Sequence, residues 1–526
     1  MPTPHGGRNP PRPTLAIPVV ARLLDDQLTP VLAYRRLVAP DERTAPSFLL
    51  ESVEGGERQG RYSILGARPI VEVMGTGSGT GAPTTRVTDH RDGTTREVGE
   101  DPLAVARGLT ACTRLEIPAG LDDLPTGFLG GWAGYASYDS VRFAEPGKLG
   151  PGPEDDRHLA DVHFGLYDSV VVFDHVRKIV FVVSLAFVGE GEDKSRALEE
   201  AGRRLEARVE EIQRHSKPLS AGRVEVEAAG KPGLGVSNLT REGHAGMVAR
   251  ALEYIRAGDV FQVVVGQRFE RRSSADPFDV YRALRSVNPS PYMVYMQAPG
   301  CILVASSPEI LCRVRREGEG RVVTNRPLAG TRRRGATPEE DSALERELLT
   351  DPKERAEHIM LVDLGRNDVG RVAEPGTIRV EPVMAVERFS HVMHLSSTVT
   401  GRLRAGMDCW DALRAALPVG TISGAPKIRA MQVIDELEPV RRGPYGGGMG
   451  YVGLDGEMDL ALALRTIVVP TARRDGSGWV YHLQASGGIV ADSRAGDEFQ
   501  ETVNKAAALA RAVDLAERAF TDAGRA

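Results

Sequence analysis

The sequence is poor in cysteine and lacks long apolar runs, and these absences exclude several classes of protein. Only four cysteines occur in 526 residues and none forms a C-x-x-C pair, so neither a zinc site nor a disulfide framework is indicated. No run of about 18 apolar residues occurs, so we expect no membrane span. No basic tract is interleaved with aromatic residues and the net charge is -6, so we expect no nucleic acid partner.

The length and the 41% apolar content are those of a protein with two or more domains. Residues 1–14 are rich in Pro and Gly and no apolar segment follows them. They predict a disordered tail rather than a secretion signal, and hence a cytoplasmic protein. Segment 216–238 is rich in Gly, Pro, Ala and Ser, which predicts a linker between an N-terminal domain, 15–215, and a C-terminal domain, 239–526.

Strand and helix patterns do not alternate regularly, which predicts an α+β fold rather than a doubly wound parallel sheet. A hairpin is predicted around residues 174–178. Thr240 and Asp351 are each predicted to cap a helix, and Ser423 is predicted to open one. Arg465 lies in the apolar run 459–469, which we predict to be a strand. A buried arginine there needs an anionic partner, either a substrate carboxylate or a structural Asp or Glu.

Two pairs of glutamates stand at helical spacing. Glu354 and Glu357 form the first pair, and Glu498 and Glu501 form the second, with Lys505 one turn further on. A helix places each pair on one face. Brought together, the two faces would offer the oxygen ligands that Mg²⁺ prefers; apart, they would be solvated helix surfaces.

Three glycine-rich stretches, 420–427, 445–453 and 484–493, lie near predicted helix starts or strand ends. Free backbone N–H groups at a helix N-terminus bind anions, although glycine also serves tight turns and close strand packing. None has the spacing of a nucleotide P-loop.

Ordered motifs across residues 240–510 resemble those of the chorismate-utilising enzymes. They are SSPEIL, PLAGTR, KERAEHIMLVDLGRND, VMHLSSTV, GTISGAPKIRAMQ, YGGGMGY, and ASGGIVADS followed by ExxETxxK. Within the family, the N-terminal SFLLESVEGGERQGRYSILG is similar to the large subunit of anthranilate synthase. The resemblance implies antiparallel sheets packed with flanking helices, an N-terminal regulatory domain and a chorismate-binding catalytic domain.

The resemblance also implies roles for the matching residues. The cofactor would be Mg²⁺, held directly by Glu357 and Glu501 with Glu354 and Glu498 beside them. The residues implied to bind chorismate are Gly330, Thr331, Tyr445, Arg465, Ser486, Gly487 and Gly488. The family usually has Gly-Ala-Gly at the last three of these positions. The implied catalytic set is His394 and Glu309 for proton transfer, with Gln262, Thr421 and Lys505.

Two positions bear on the choice of reaction within the family. Relatives that add water have a lysine base at the position of Gln262, and aminodeoxychorismate synthase has a nucleophilic lysine at the position of Ala329. Direct attack of ammonia at C2 of chorismate is therefore implied, giving anthranilate and pyruvate in tryptophan biosynthesis. The alternatives are a 2-amino-2-deoxyisochorismate synthase, an aminodeoxychorismate synthase, and a catalytically dead module that only senses tryptophan.

The ammonia source and a regulatory ligand are also implied. No cysteine lies in a G-x-C-x-G glutaminase elbow and nothing follows residue 526, so we expect a separate glutamine amidotransferase subunit, in a heterotetramer of two large and two small subunits. Feedback inhibition by tryptophan is implied by two stretches, 49–52 and 288–293, and by the strand after Tyr445. The residues implied to bind it are Leu50, Glu51, Ser52, Pro291, Tyr292, Met293, Met449 and Tyr451.

Overall fold

The structure, a computed structural model, describes residues 13–39, 45–54, 58–77, 83–214, 219, 221–224, 232–389, 392–476 and 478–520. Residues 1–12 of the predicted tail and most of the segment 215–231 lie outside these ranges.

The described residues are rich in strands. In chain order they are β1 (Thr14–Leu24), β2 (Ser47–Glu51), β3 (Val53–Glu54), β4 (Arg58–Gln59), β5 (Tyr62–Ala67), β6 (Val71–Thr76), β7 (Thr84–Asp89), β8 (Thr94–Val98), β9 (Thr113–Leu115), β10 (Gly131–Ala136), β11 (Val162–Tyr167), β12 (Ser169–Asp174), β13 (Ile179–Gly189), β14 (Val236–Ser237), β15 (Gln262–Ser273), β16 (Tyr292–Ala298), β17 (Cys301–Ser307), β18 (Ile310–Glu317), β19 (Gly320–Asn325), β20 (Leu328–Arg333), β21 (Arg379–Val380), β22 (Ala385–Arg388), β23 (Val392–Ser396), β24 (Val399–Arg402), β25 (Gly424–Ala425), β26 (Gly448–Gly453), β27 (Met458–Leu462), β28 (Thr466–Pro470) and β29 (Trp479–Ile489).

Helices connect and cover these strands. They are α1 (Pro30–Leu37), α2 (Pro102–Thr110), α3 (Val141–Ala144), α4 (Lys194–Gln213), α5 (Arg241–Ala257), α6 (Pro277–Val287), α7 (Pro338–Thr350), α8 (Pro352–Gly370), α9 (Cys409–Ala416), α10 (Gly420–Ser423), α11 (Lys427–Leu437) and α12 (Ala495–Phe520). Helices α1, α2, α6, α7 and α8 each begin with proline after a Thr or Asp whose side chain accepts a hydrogen bond from a first-turn N–H. Proline fits that position because its missing N–H would have no partner there.

Two large sheets form the body of the structure, and strands from both halves of the chain build each of them. Among the described residues, a 13-stranded sheet has the order β14-β15-β29-β28-β17-β16-β2-β5-β12-β13-β1-β9, with β25 also on β15. An 11-stranded sheet has the order β21-β24-β19-β18-β27-β26-β10-β11-β6-β7-β8. A small sheet, β20-β23-β22, stands apart from them. Nearly all of the pairs are antiparallel, as the pair β16–β2 shows.

The halves of the chain meet at one strand pair in each large sheet. In the first sheet β2 pairs with β16, where Glu51 lies opposite Met293. In the second sheet β10 pairs with β26, where Gly134 lies opposite Gly450. A Cβ atom at Gly131 would lie 2.5 Å from the Val452 carbonyl oxygen of β26, and one at Gly447 would lie 2.2 Å from the Ala136 carbonyl oxygen of β10, so this seam requires glycine for close backbone approach.

Apolar side chains fill the space between the large sheets and cover their outer faces. One cluster, which we call the inter-sheet core, includes Phe48, Val294, Leu303, Tyr135 and Met449 from both sheets. A second cluster joins the first sheet to α1, α6 and α12, and a third packs α2, α9 and α11 on the other sheet. Burial of these faces is the main stabilising contribution to the fold.

The predicted α+β class is confirmed, and several local predictions match the structure. β12 and β13 form the hairpin around 174–178, and Thr240 and Asp351 cap α5 and α8. The predicted start at Ser423 is wrong: Ser423 ends the short helix α10, and α11 begins at Lys427. The domain division around 216–238 stays a prediction, and both large sheets continue across it.

The predicted strand 459–469 is also wrong as a single element. It divides into β27 in one large sheet and β28 in the other, and Arg465 lies at the bend with φ of 46°. A non-glycine residue at positive φ is uncommon, and such residues concentrate at functional sites.

Candidate active site

The two predicted acidic faces meet across α8 and α12. Burial raises the pKa of Glu357 on α8, and the charges of Glu354 and of Glu501 on α12 act in the same direction. Burial also raises the pKa of Glu498, and the charge of Glu501 adds to that shift. The two acidic pairs therefore share one electrostatic environment, in which the charged forms of Glu357 and Glu498 are disfavoured unless a cation compensates them.

The donor chemistry of this acidic group suits Mg²⁺, because carboxylate oxygens are the ligands that Mg²⁺ prefers. One oxygen of Glu498, Oε2, is buried and makes no hydrogen bond within the described residues. Within those residues no three acidic, His or Cys side chains stand close enough to form a ready-made metal cluster. Mg²⁺ usually keeps several waters and uses one or two carboxylates plus substrate oxygens, so the residues present fit such an ion.

Two basic side chains contact the acidic group. Lys505 Nζ lies 2.7 Å from Glu501 Oε1 and donates a hydrogen bond of 2.9 Å to the Ser486 carbonyl. Arg332 donates a hydrogen bond of 3.0 Å to Glu354 Oε1 and also pairs with acids on and beside α7. We assigned Arg332 no role from the sequence. The sequence feature that could have indicated a role for Arg332 is its position in the run of three arginines that precedes the acidic helix α7.

Glu309 lies between β17 and β18 and is 4% exposed. Burial raises its pKa to about 8, and a hydrogen bond of 2.9 Å from Thr421 Oγ1 to Glu309 Oε1 partly opposes that shift. The carboxyl group is therefore protonated at neutral pH. A buried acid with this pKa is suited to donate a proton.

His394 lies on β23, next to β20. Its Nδ1 is 3.0 Å from the Gly330 carbonyl oxygen and 3.1 Å from Thr331 Oγ1. Because a carbonyl only accepts, Nδ1 carries the ring proton and Nε2 keeps its lone pair. Burial lowers the pKa of His394 to about 4, and the positive charge of Arg465 acts in the same direction. The ring is therefore a neutral base at neutral pH.

Arg465 brings an unbalanced positive charge to the site. Burial lowers its pKa, and its side chain makes no ion pair with any carboxylate among the described residues. Of the two partners that the sequence left open, a structural Asp or Glu is therefore absent from the described part of the chain. The bend between β27 and β28 holds this guanidinium close enough to His394 to affect its pKa.

Gln262 is the first residue of β15 and contacts the acidic group directly. Its Nε2 donates a hydrogen bond of 2.9 Å to Glu357 Oε1, while its buried Oε1 makes no hydrogen bond within the described residues. A Cβ atom at Gly488 would lie 2.5 Å from Gln262 Nε2, so a glycine leaves room for this amide.

The end of β29 provides small residues beside the acids. A Cβ atom at Gly487 would lie 3.1 Å from Glu498 Oε2, and one at Gly330, which has φ of 70°, would lie 3.2 Å from Glu354 Oε2. Tyr445 is 3% exposed just before β26, and burial raises its pKa. The structure thus brings the predicted substrate and metal residues to one region, where β15, β20, β23 and β29 meet α8, α10 and α12.

Some of the residues predicted to bind tryptophan line the space between the two large sheets, and others lie on the outer face of the first sheet. Leu50, Tyr292, Met449 and Tyr451 belong to the inter-sheet core. Met293 packs instead on the outer face of the sheet, against α6.

Glu51 belongs to that same outer face. Its carboxylate accepts hydrogen bonds from Tyr281 and Arg285 on α6. Ser52 lies at the end of β2, where its side chain packs on Gly60. Pro291 precedes β16. Strand alternation explains the division, because neighbouring residues of β2 and β16 point to opposite faces.

Comparison with known proteins identifies the family to which this chain belongs. A model of chorismate binding enzymes matches residues 70–511. The chain belongs to the chorismate binding enzyme family. It is 53% identical to anthranilate synthase alpha subunit 1, chloroplastic, from Oryza sativa subsp. indica, over 96% of this chain and 89% of that protein. It is 43% identical to anthranilate synthase component 1 of Acetivibrio thermocellus, over 95% and 96% of the two chains.

Solved structures agree with these relatives. Anthranilate synthase component I from Streptococcus pneumoniae TIGR4 has a TM-score of 0.68 and 35% identity, with 93% of this chain and 99% of that chain covered. The menaquinone-specific isochorismate synthase MenF of Escherichia coli, at 19% identity and a TM-score of 0.65 over 95% and 96% of the chains, shares the fold. The predicted resemblance, fold and enzyme class are confirmed.

Within the described residues, no helix is both long and apolar enough to cross a membrane. The cytoplasmic location stays a prediction, and the rice relative is named as a chloroplastic protein.

The raised pKa of Glu309 predicts a pH-dependent stability that glutamine would remove. Unfolded glutamate ionises near 4.5 and folded Glu309 near 8, so the free energy of unfolding falls as pH rises between these values. Glu309→Gln cannot ionise. Relative to wild type, the free energy of unfolding of Glu309→Gln should therefore rise by about 3 kcal/mol from pH 5 to pH 7. Denaturant titrations at both pH values measure this difference.

Glu319→Gln is the control, because Glu319 is exposed in the turn between β18 and β19. Its difference from wild type should not change between the two pH values. A Glu309→Gln difference that is equally flat would show that Glu309 ionises normally in the folded protein.

Proposed function

We propose that this chain is the Mg²⁺-dependent large subunit of an anthranilate synthase, which converts chorismate and ammonia to anthranilate and pyruvate. The observation that carries the proposal is the combination of a protonated acid, Glu309, a neutral base, His394, and an unpaired guanidinium, Arg465. Chorismate is a dicarboxylate whose conversion requires loss of a hydroxyl group and of a ring proton. The site supplies a partner for each of these demands.

The two carboxylates of chorismate bind to different parts of the site, one to Arg465 and the other at the acidic group. Arg465 binds one of them and thereby gains the counterion that it lacks among the described residues. Glu357 and Glu501, with Glu354 and Glu498 beside them, would hold Mg²⁺ against the other. The ion would supply positive charge that neutralises the crowded carboxylates and fixes the ring carboxylate.

Addition of ammonia comes first. The nitrogen forms a bond to C2, the ring double bonds shift, and the C4–oxygen bond breaks. Glu309 gives its proton to the departing hydroxyl, which leaves as water. The ammonium group formed at C2 then loses one proton to become the amine, and Glu309 takes up one proton, so the step balances. The Thr421 hydroxyl, bonded to Glu309 Oε1, orients the carboxyl group for this transfer.

Elimination follows. Nε2 of His394 removes the proton from C2, and the ether bond to the enolpyruvyl group breaks. The enolpyruvate takes up a proton and leaves as pyruvate, while the ring becomes aromatic. The Gly330 carbonyl fixes the tautomer of His394 that has Nε2 free.

The nucleophile is ammonia rather than water, because Gln262 cannot act as a base and its amide is already committed to Glu357. Ala329 on β20 likewise carries no amine that could attack the ring. We propose that a separate glutamine amidotransferase subunit supplies the ammonia in a heterotetramer of two large and two small subunits, in the cytoplasm.

An ultraviolet fluorescence assay for anthranilate tests the proposal. The isolated chain, given chorismate, Mg²⁺ and ammonium salts, should form anthranilate, faster at a raised pH that frees more NH₃, and should be inert with glutamine. Release of an amino-enolpyruvyl product in place of anthranilate would indicate a 2-amino-2-deoxyisochorismate synthase. Absence of any chorismate consumption would contradict enzymatic function and favour a tryptophan-sensing module.

Metal dependence gives a second test. Glu357→Gln and Glu501→Gln each keep the side-chain shape and remove one charge, so activity should fall by about 100-fold or more while the fold persists. Isothermal titration with Mg²⁺ should show weaker binding by each variant than by wild type. Glu374→Gln, a change at a half-exposed position in the segment after α8, is the control and should leave both properties unchanged. Unaltered Mg²⁺ binding by Glu501→Gln would reject its assignment as a ligand.

We also propose that tryptophan is a feedback inhibitor that binds beside the seam between the two halves of the chain. Leu50, Tyr292, Met449 and Tyr451 share the inter-sheet core and would form apolar walls for the indole ring. β26 carries Met449 and Tyr451 and starts three residues after Tyr445 of the chorismate site. A shift of this strand would link the two ligands reciprocally.

The position of Ser52 gives this proposal a mutational test. Ser52→Phe should abolish inhibition and spare catalysis, because the ring has no room against Gly60 and turns into the tryptophan space. Ser52→Ala, which removes only the hydroxyl, should weaken inhibition less. Titration of tryptophan against the rate at several chorismate concentrations measures both effects and should show that tryptophan raises the KM of the wild type. Wild-type enzyme that is indifferent to millimolar tryptophan would contradict the proposal.

A further inference from the structure

One edge of β15 is only partly paired with strands. β29 runs along its other edge from Val263 to Ser273. On the partly paired edge, β25 pairs with Gln262 and Val263, and β14 pairs with Phe269 and Glu270. The stretch between these short strands is where backbone groups need other partners, since unpaired buried N–H and C=O groups are costly.

Side chains complete this edge. Arg442 Nη2 donates a hydrogen bond of 2.7 Å to the Val264 carbonyl, and the Gly266 N–H donates one of 2.9 Å to Glu438 Oε1. Arg442 and Glu438 also pair with each other through two bonds, of 2.9 and 2.6 Å. The side chains of this ion pair are 1% and 3% exposed, so it belongs to the interior.

From the same position Arg442 also binds the residue next to the one that holds Glu309. Its Nη1 donates a hydrogen bond of 2.6 Å to the carbonyl of Ile422 in α10. The preceding residue, Thr421, holds Glu309. The Arg442 guanidinium also lies 4.5 Å from the centre of the Tyr138 ring, which fixes its plane.

We propose that Arg442 is a positioning residue: by completing the open edge of β15 and binding the Ile422 carbonyl, it holds the Thr421 hydroxyl on Glu309. The inference rests on the proposed function, in which Glu309 protonates the leaving hydroxyl. A guanidinium is suited to this task because its planar fork serves a carboxylate and two carbonyls at once, whereas the lysine ammonium is a compact point charge. Arg442 itself touches neither Glu309 nor Thr421 through any bond found among the described residues.

Arg442→Lys, Thr421→Val and the double variant test this proposal in the ammonium-dependent assay. Arg442→Lys should lower kcat by roughly 10- to 100-fold with little change in the KM for chorismate, since a displaced catalytic group costs rate rather than binding. The Thr421 hydrogen bond lowers the pKa of Glu309, so both single variants should move the basic limb of the kcat profile to higher pH. The double variant should be no slower than Thr421→Val, because both changes break one linkage.

Arg142→Lys is the matched control. Arg142 is also a buried arginine paired with an acid near α11, through bonds of 2.8 Å to Asp435, and it contacts no residue of the site. Its kcat and its basic limb should stay at the wild-type values, and its melting temperature reports the cost of the same chemical change. If Arg442→Lys does not fold, Glu438→Gln replaces it in the test. Glu438→Gln removes the carboxylate charge that orients the guanidinium, so it should also move the basic limb of the kcat profile to higher pH.

Any one of three results would show that Arg442 only supports packing. The first is an equal loss of kcat in Arg442→Lys and Arg142→Lys, and the second is an unchanged basic limb of the kcat profile. The third is a loss of kcat in the double variant that equals the product of the losses in the two single variants. Failure of the proposed function itself is distinguishable, because then the wild type would form no anthranilate.

Discussion

Burial of uncompensated charge is the constraint on which the site depends. Burial raises the pKa values of Glu357 on α8 and of Glu498 on α12, and Glu309 holds a proton at neutral pH. In the same region burial lowers the pKa values of His394 and Arg465. Folding alone therefore disfavours both the negative charge of the buried Glu357 and Glu498 carboxylates and the positive charge of Arg465. A bound dicarboxylate and a divalent cation provide counterions for both signs of charge. Their binding therefore offsets the free energy that burial of these groups costs.

The two large sheets are what make this arrangement possible. β15 and β29 lie in one sheet, and the strand that follows Tyr445 lies in the other. The site forms where these two sheets, the small sheet β20-β23-β22 and the helices α8, α10 and α12 meet. The chain crosses between the sheets at the bend between β27 and β28, and this crossing carries Arg465. A single strand would have pointed alternate residues to opposite faces and could not have presented this side chain in the same way.

The sequence was most informative where local chemistry decides the structure. The caps at Thr240 and Asp351 follow from side-chain hydrogen bonding, and the glutamate pairs on α8 and α12 follow from helical spacing. The bend at Arg465 and the short helix that ends at Ser423 depend instead on contacts between distant strands. The same holds for Glu51, because an alternating pattern does not reveal which face of a sheet meets α6.

The glycines at the β10–β26 pair, where the two halves of the chain meet, also determine which parts of the chain can be exchanged between relatives. At Gly131 and Gly447 the two halves approach backbone to backbone, because a Cβ atom at these positions would lie 2.5 and 2.2 Å from a carbonyl oxygen of the other half. A chimaera that takes residues before 215 from one homologue and the rest from another must therefore keep glycine at both of these positions and preserve the β2–β16 register as well. The two halves are constrained to diverge together along these two strand pairs, whereas β8, whose side chains are mostly exposed, is free to vary.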